Sequence, residues 1–197
     1  MTQARVGEAK RVTGETDVRV RMDLDGSGGC TVETGVGFFD HMLTLLARHA
    51  FIDLDVEARG DLQTGSHHTV EDVGITLGQA LDQALGDRSG IARYGSALIP
   101  MDECLAQAVI DISGRPFLAC DVPLEFGVVG GFETDLLPEF LRGLANSARL
   151  TLHLRLLEGT NPHHVLEVSF KAVARALAAA VQRDSRVAGV PSTKGSL

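Results

Sequence analysis

The sequence is short of the residues that mark several common classes of protein. Only three cysteines occur in 197 residues, Cys30, Cys104 and Cys120, widely spaced and with no Cys-x-x-Cys pair. An odd, scattered set of thiols argues against a disulfide frame or a thiolate metal site, and reads as small buried side chains in a reducing cytoplasm. Long apolar runs are missing as well. The longest, ALAAAV at 176–181, falls far short of the about 20 residues that a membrane-spanning helix needs. The N-terminal MTQARVGEAK has no apolar stretch that could serve as a secretory signal. Positive charge is scarce: 18 Lys and Arg face 26 Asp and Glu, a net charge of −8. That balance argues against a nucleic-acid surface, which needs clustered cations, and no membrane partner is expected. A phosphorylated ligand stays open, because a few local cations or a bound metal can dominate the potential inside a cleft.

What is present is the composition of an ordinary globular chain, 44% hydrophobic and 22% charged. In TDVRVRMDLD (16–25), Val18, Val20, Met22 and Leu24 alternate with charged residues, the period of a strand with one wet face. GSGG (26–29) is a turn. Helical spacing predicts helices over 37–50, 67–85, 135–148 and 163–183, with strands over 51–58 and 149–158. Asn161 is the expected N-cap of the last helix, with Pro162 at its first position. The middle of the chain reads as strands broken at Pro100 and at the Gly114–Pro116 corner.

This order contains a repeat. Helix 37–50, strand 51–58 and helix 67–85 recur as 135–148, 149–158 and 163–183, and LARHAFIDLD (46–55) aligns without a gap on LANSARLTLH (144–153), at an offset of 98. The expected fold is α+β: one domain over 1–197 made of duplicated halves, about 1–95 and 96–190, each a sheet with helices on one face, and a short tail 191–197.

The repeat carries the chemistry. GSHHTVED (65–72) and NPHHVLEV (161–168) place four of the seven histidines as two His-His-x-x-Glu motifs at equivalent helix starts. On a helix, residues i and i+4 share a face while i+1 is turned away by about 100°. His67 with Glu71, and His163 with Glu167, can therefore each reach one metal ion, while His68 and His164 point toward another. His41 sits opposite Glu139 at the offset of 98. The inferred sites are His41, His68, His163 and Glu167 for one ion, and His67, Glu71, Glu139 and His164 for the other. Imidazole and carboxylate without thiolate suit Mn²⁺, Fe²⁺, Co²⁺ or Zn²⁺, and four ligands leave positions open for substrate. His49 and His153 are read as non-ligating; His153 shares a polar strand face with Arg149, Thr151 and Arg155. Lys171 lies one turn beyond Glu167 on the same helical face, which places it near the metals.

In RVTGETDVRV, GVGFFDHML, GDLQTGSHHTVEDVGITLGQAL, GIARYGSALIPMDECL, DISGRPFL, NPHHVLEVSFKAVARAL and the tail PSTKG, the chain resembles the imidazoleglycerol-phosphate dehydratase family along nearly its whole length. The resemblance implies a duplicated fold of the ribosomal protein S5 domain 2 type. It implies two Mn²⁺ ions per active site, and active sites formed between subunits of a 24-subunit homo-oligomer built from trimers. The implied reaction is the loss of water from imidazole glycerol phosphate to give imidazole acetol phosphate, a lyase step of histidine biosynthesis. The metals would hold the substrate ring as imidazolate, so that its electrons expel the neighbouring hydroxyl. Glu15 matches the family's catalytic glutamate, alongside His41, His67, Glu71, His163 and Glu167 at the metals. Arg93, Arg115, Lys171, Ser192, Thr193 and Lys194 match the substrate-binding positions, with the cations on the phosphate. Some relatives carry histidine where this chain has Glu139, which keeps ligation feasible and adds a negative charge.

Two other readings remain at this level: a dinuclear metallohydrolase acting on a phosphate ester, with metals bridged about 3.5–4 Å apart, and metals that only join subunits, with saturated coordination and no use for Glu15.

Overall fold

The structure is a computed structural model; it describes residues 4–197, so Met1, Thr2 and Gln3 of the first half lie outside the described residues. Two four-stranded sheets form the outer layers. The first contains β1 (Val6–Val12), β2 (Thr16–Asp23), β3 (Cys30–Glu33) and β4 (Asp53–Gly60) in the order β1-β2-β4-β3. The second contains β5 (Tyr94–Met101), β6 (Cys104–Asp111), β7 (Phe117–Asp121) and β10 (Thr151–Glu158) in the order β5-β6-β10-β7. In both, the first three strands of that order are antiparallel neighbours and the last pairs in parallel. Between the sheets lie α1 (Gly37–Ala50), α2 (His67–Leu85), α3 (Leu136–Ser147) and α4 (Pro162–Val181). A two-stranded hairpin, β8 (Val128–Val129) and β9 (Phe132–Glu133), precedes α3.

Pairing registers fix the correspondence of the halves. Val6 pairs with Asp23 and Tyr94 with Asp111, an offset of 88, whereas Asp53 pairs with Asp23 and Thr151 with Asp111, which returns the offset of 98 for β4 and β10. Ten extra residues therefore lie between β7 and α3, and they contain the β8–β9 hairpin. The close contacts repeat too. A Cβ on Gly7 would stand 1.9 Å from the Ala80 carbonyl oxygen, and one on Gly95 would stand 1.9 Å from that of Ala176. Each glycine lets the outer strand of its sheet lie directly on the long helix of its half.

α1 and α2 pack on the first sheet, α3 and α4 on the second, and the layers close through α2 against α3 and α1 against α4. The α2–α3 crossing is parallel and close: a Cβ on Gly74 would be 2.5 Å from the Phe140 carbonyl oxygen, and one on Gly78 would be 2.6 Å from that of Leu144. Beneath the helix starts runs an aromatic cluster, with Phe39 to Phe132 at 5.6 Å, Phe39 to Phe140 at 5.4 Å and Phe140 to Phe170 at 5.3 Å. It ties α1, β9, α3 and α4 together, each ring pair contributing about 0.5–1.5 kcal/mol beyond its buried area.

Three expectations are corrected. β5 is not broken at Pro100 but runs through it, with Pro100 opposite Leu105; β5 is an edge strand, where a missing N–H costs no ladder bond. The strands expected from 51 and 149 begin at 53 and 151, because Phe51 (φ 58°) and Arg149 (φ 53°) sit just past their helices in the left-handed conformation. Only Cys104 of the three thiols is buried; Cys30 and Cys120 are half-buried on the edge strands β3 and β7.

Candidate active site

All eight residues inferred as ligands fall within the first two turns of the four helices, near the end where free backbone N–H groups and the helix dipole favour negative charge. Asn161 caps α4 as expected, its side chain accepting from the His163 N–H at 3.0 Å. Three of the first inferred set come together in one chain. Glu167 Oε2 lies 3.3 Å from His163 Nε2 and 3.8 Å from His41 Nε2, while Lys171 Nζ reaches Glu167 Oε1 at 2.7 Å. Phe38 packs its ring against both imidazoles, 6.5 Å from His41 and 5.1 Å from His163. Burial by itself would raise the Glu167 carboxyl; the Lys171 hydrogen bond and the charges of Lys171, His41 and His163 outweigh it and hold Glu167 below its ordinary value.

Two of the second inferred set also meet. His67 Nε2 lies 3.9 Å from Glu71 Oε2, both half-exposed. Glu139 starts the neighbouring helix α3 and pairs with Arg142 at 3.6 Å, not with His67 or Glu71. The position equivalent to Lys171 is Ile75, so only one half carries a cation beside its motif.

His68 and His164 stand apart from both groups. Each ring is nearly perpendicular to its neighbour's, at 85° for His67–His68 and 89° for His163–His164. His68 Nδ1 lies 3.1 Å from both Asp61 carboxylate oxygens, with Glu15 Oε1 3.7 Å from its Nε2. His164 Nδ1 lies 2.9 Å from Glu103 Oε2, with Asp102 Oδ2 3.9 Å from its Nε2. Hydrogen bonds to Asp61 and Glu103 raise the two histidines above their ordinary value, and the His164 bond holds the Glu103 carboxyl down at about 2.

The donors fit a divalent cation. At His41, His67 and His163 a ring nitrogen faces a carboxylate oxygen across 3.3–3.9 Å, beyond good hydrogen-bonding distance, in helix starts open to solvent. The ions suited to imidazole and carboxylate oxygen are those of the Mn²⁺, Fe²⁺, Co²⁺ and Zn²⁺ group.

The expected phosphate ligands form a second locus. Arg93, Arg115, Ser192, Thr193 and Lys194 line an open pocket of about 680 Å³ with Tyr94 and the end of the tail. Arg93 has a left-handed backbone (φ 72°). Its guanidinium donates to Asp111 at 2.7 and 3.2 Å and to the Pro191 carbonyl at 2.8 Å, which anchors the tail against β6. Arg115 lies 3.8 Å from Asp111 and is mostly exposed. Lys171 is not part of this locus.

Sequence reading passed over Asp61, Asp102 and Glu103. Glu103 corresponds to Glu15 at the offset of 88 that the strand registers give, a relation hidden by an alignment made only on the helices.

A family model described as imidazoleglycerol-phosphate dehydratase matches residues 34–177. The chain belongs to that family. It is 56% identical over 194 residues to an imidazoleglycerol-phosphate dehydratase of Methylibium petroleiphilum, covering 98% of each chain. It is 53% identical over 192 residues to one of Clostridium botulinum, again covering 98% of each. Among solved structures, the Staphylococcus aureus imidazoleglycerol-phosphate dehydratase superposes with a TM-score of 0.82 at 41% identity, covering 91% of this chain and 99% of that one. The Pyrococcus furiosus enzyme in complex with (S)-C348 gives 0.82 at 38% identity, covering 95% and 99%. The chain is thus an enzyme of the hydro-lyase class, with the mixed α+β fold of those structures. Among the described residues, no helix is long and apolar enough to cross a membrane.

Proposed function

We propose that the chain dehydrates imidazole glycerol phosphate to imidazole acetol phosphate in histidine biosynthesis, at active sites completed between copies of itself. The observation that carries the second half of this reading is a separation. β5 and β6 run from the Arg93–Asp111 pair at one end to Met101, Asp102 and Glu103 at the other. There Lys171 Nζ lies 3.6 Å from Met101 Sδ, and Glu103 holds His164. Seven residue steps at about 3.3 Å each put about 23 Å of strand between the end that carries Arg93 and the end that meets His164 and Lys171. A three-carbon phosphate ester cannot bridge that span. The cradle and the ligands that serve one substrate therefore come from different copies, and the outward turn of His68 and His164 supports the same reading.

In the assembled site, His41, His68, His163 and Glu167 would hold one divalent cation, and His67, Glu71, Glu139 and His164 the other. When bound, these ions, Mn²⁺ by preference, would supply Lewis acidity at the substrate's imidazole ring. The chain's own groups do the rest. Arg93, Arg115, Ser192, Thr193 and Lys194 fix the phosphate, the arginines as forks and Lys194 as a point charge. Lys171 holds the Glu167 carboxylate ionised. Phe38 closes one wall against water. Glu15, half-exposed at the β1–β2 turn beside His68, accepts the proton lost from the carbon adjacent to the one that bears the departing hydroxyl. The enol so formed takes a proton at the ring-bearing carbon and becomes the ketone.

The test is turnover of imidazole glycerol phosphate by chelated protein, before and after Mn²⁺ is restored. Ketone formation only with metal is the expected result; equal turnover by metal-free protein would contradict the reading.

A further inference from the structure

Both odd histidines are held in the same way, by residues that are not equivalent in the repeat. His68 presents Nδ1 to Asp61, which lies in the β4–α2 connection, at 3.1 Å. His164 presents Nδ1 to Glu103, which lies in the β5–β6 turn, at 2.9 Å. The counterpart of Glu103 is Glu15, which lies on the opposite side of its own histidine, 3.7 Å from His68 Nε2. One geometry has thus been reached from two different loops, so it is not a by-product of the duplication. The His163, His41 and His67 rings instead meet carboxylates through Nε2.

We propose that Asp61 and Glu103 are positioning residues, which fix the proton of His68 and His164 on Nδ1 and present Nε2 as the ligating atom toward the site of another copy. The inference rests on the two-cation reading above and deepens it. A neutral imidazole carries its proton on one nitrogen, and a carboxylate at Nδ1 decides which. The same contact sets the ring plane and makes Nε2 a stronger donor. These two rings need such a device most. They lie at the first helical turns, they turn away from the other ligands of their own chain, and they must be aimed before a second copy docks. On the Nε2 side of each, Glu15 Oε1 or Asp102 Oδ2 stands at 3.7 or 3.9 Å, too far for a good hydrogen bond, so Nε2 is left available.

The experiment is a Mn²⁺ titration of the full-length, metal-stripped protein, with free Mn²⁺ followed by electron paramagnetic resonance. Wild type should take up two ions per chain. Asp61→Ala should weaken one of the two by about 10–100-fold and Glu103→Ala the other, the range for loss of a residue that orients a ligand. Asp61→Asn and Glu103→Gln should retain part of the affinity, since an amide oxygen still accepts the Nδ1 proton. Asp61→Ala added to His68→Ala should change nothing further, because the ring it aims is gone. Tight binding of both ions by Asp61→Ala and Glu103→Ala would overturn the proposal, as would an equal loss of both ions, the mark of a folding or assembly defect. If His68→Ala and His164→Ala themselves still bind two ions tightly, the underlying assignment of these two histidines as metal ligands fails instead.

Discussion

Gly74→Ala should separate the helices that carry one half of the proposed metal ligands. A methyl at Gly74 would lie 2.5 Å from the Phe140 carbonyl oxygen and 3.2 Å from its carbonyl carbon, against the 3.4 Å at which ordinary contact begins. The obstruction is backbone on a packed helix, so it cannot be relieved by a rotamer change. α2 must move from α3 by most of an ångström. Overpacking of this kind costs about 1–3 kcal/mol. The alanine regains up to about 1 kcal/mol of helix propensity. The net loss of about 1–2 kcal/mol corresponds to a fall in Tm of about 2–8 °C for a domain of this size. Glu71 and Glu139 ride on the two displaced helices, so Mn²⁺ affinity at the ion they are proposed to share should fall in the same variant. Gly37→Ala is the control, since nothing lies within 4 Å of that position. Differential scanning fluorimetry and Mn²⁺ titration of the two variants decide the matter. A Gly74→Ala protein as stable and as tight for Mn²⁺ as Gly37→Ala would refute the close-crossing argument.

Lys171→Met removes the cation bonded to the part-buried Glu167 carboxylate at 2.7 Å; leaving that charge unpaired should cost about 2 kcal/mol or more of stability and lower kcat/KM for dehydration. Steady-state turnover near the wild-type value would count against its role. Asp25 is held below its ordinary value of 3.8 by the hydrogen bond from Arg5, which outweighs the opposing effect of burial. Its charged form therefore favours the fold. That contribution is complete above about pH 4 and is lost as pH falls through the lower folded value. Asp25→Asn should accordingly show a smaller drop in Tm between pH 6 and pH 3 than wild type; an equal or larger drop would be the wrong sign.

Where hydropathy changes sharply along the chain, the sequence could be read. α1 and α2 begin and end where their apolar spacing does, and Asn161-Pro162 marks the start of α4. β1 was invisible because its inward face is Gly7 and Ala9, chosen for closeness to α2 rather than for hydrophobicity. Phe51 and Arg149 were read as strand because glycine, the usual sign of a left-handed cap, is absent at both. Each His-His-x-x-Glu motif was legible because helix geometry converts i and i+4 into a shared face. His41 joined Glu167 as expected, but no periodicity predicts which loops deliver Asp61 and Glu103, since those contacts span seven residues in one case and sixty-one in the other. The location of the proposed phosphate cradle at the far end of β5 and β6 from the proposed metal ligands follows from strand register, which composition does not encode.

The central claim is that one substrate is served by residues of different copies. It is tested most directly by mixing two inactive variants, Arg115→Ala and His164→Ala, under conditions that dissociate and reassemble the protein. Each alone should be inactive. If the cradle and the ligands come from different copies, a mixture contains intact sites, made from His164 of one chain and Arg115 of another, and dehydratase activity should return. If both residues serve the same site from one chain, every site in the mixture is defective. Persistent inactivity in a mixture shown to have exchanged subunits would contradict the account.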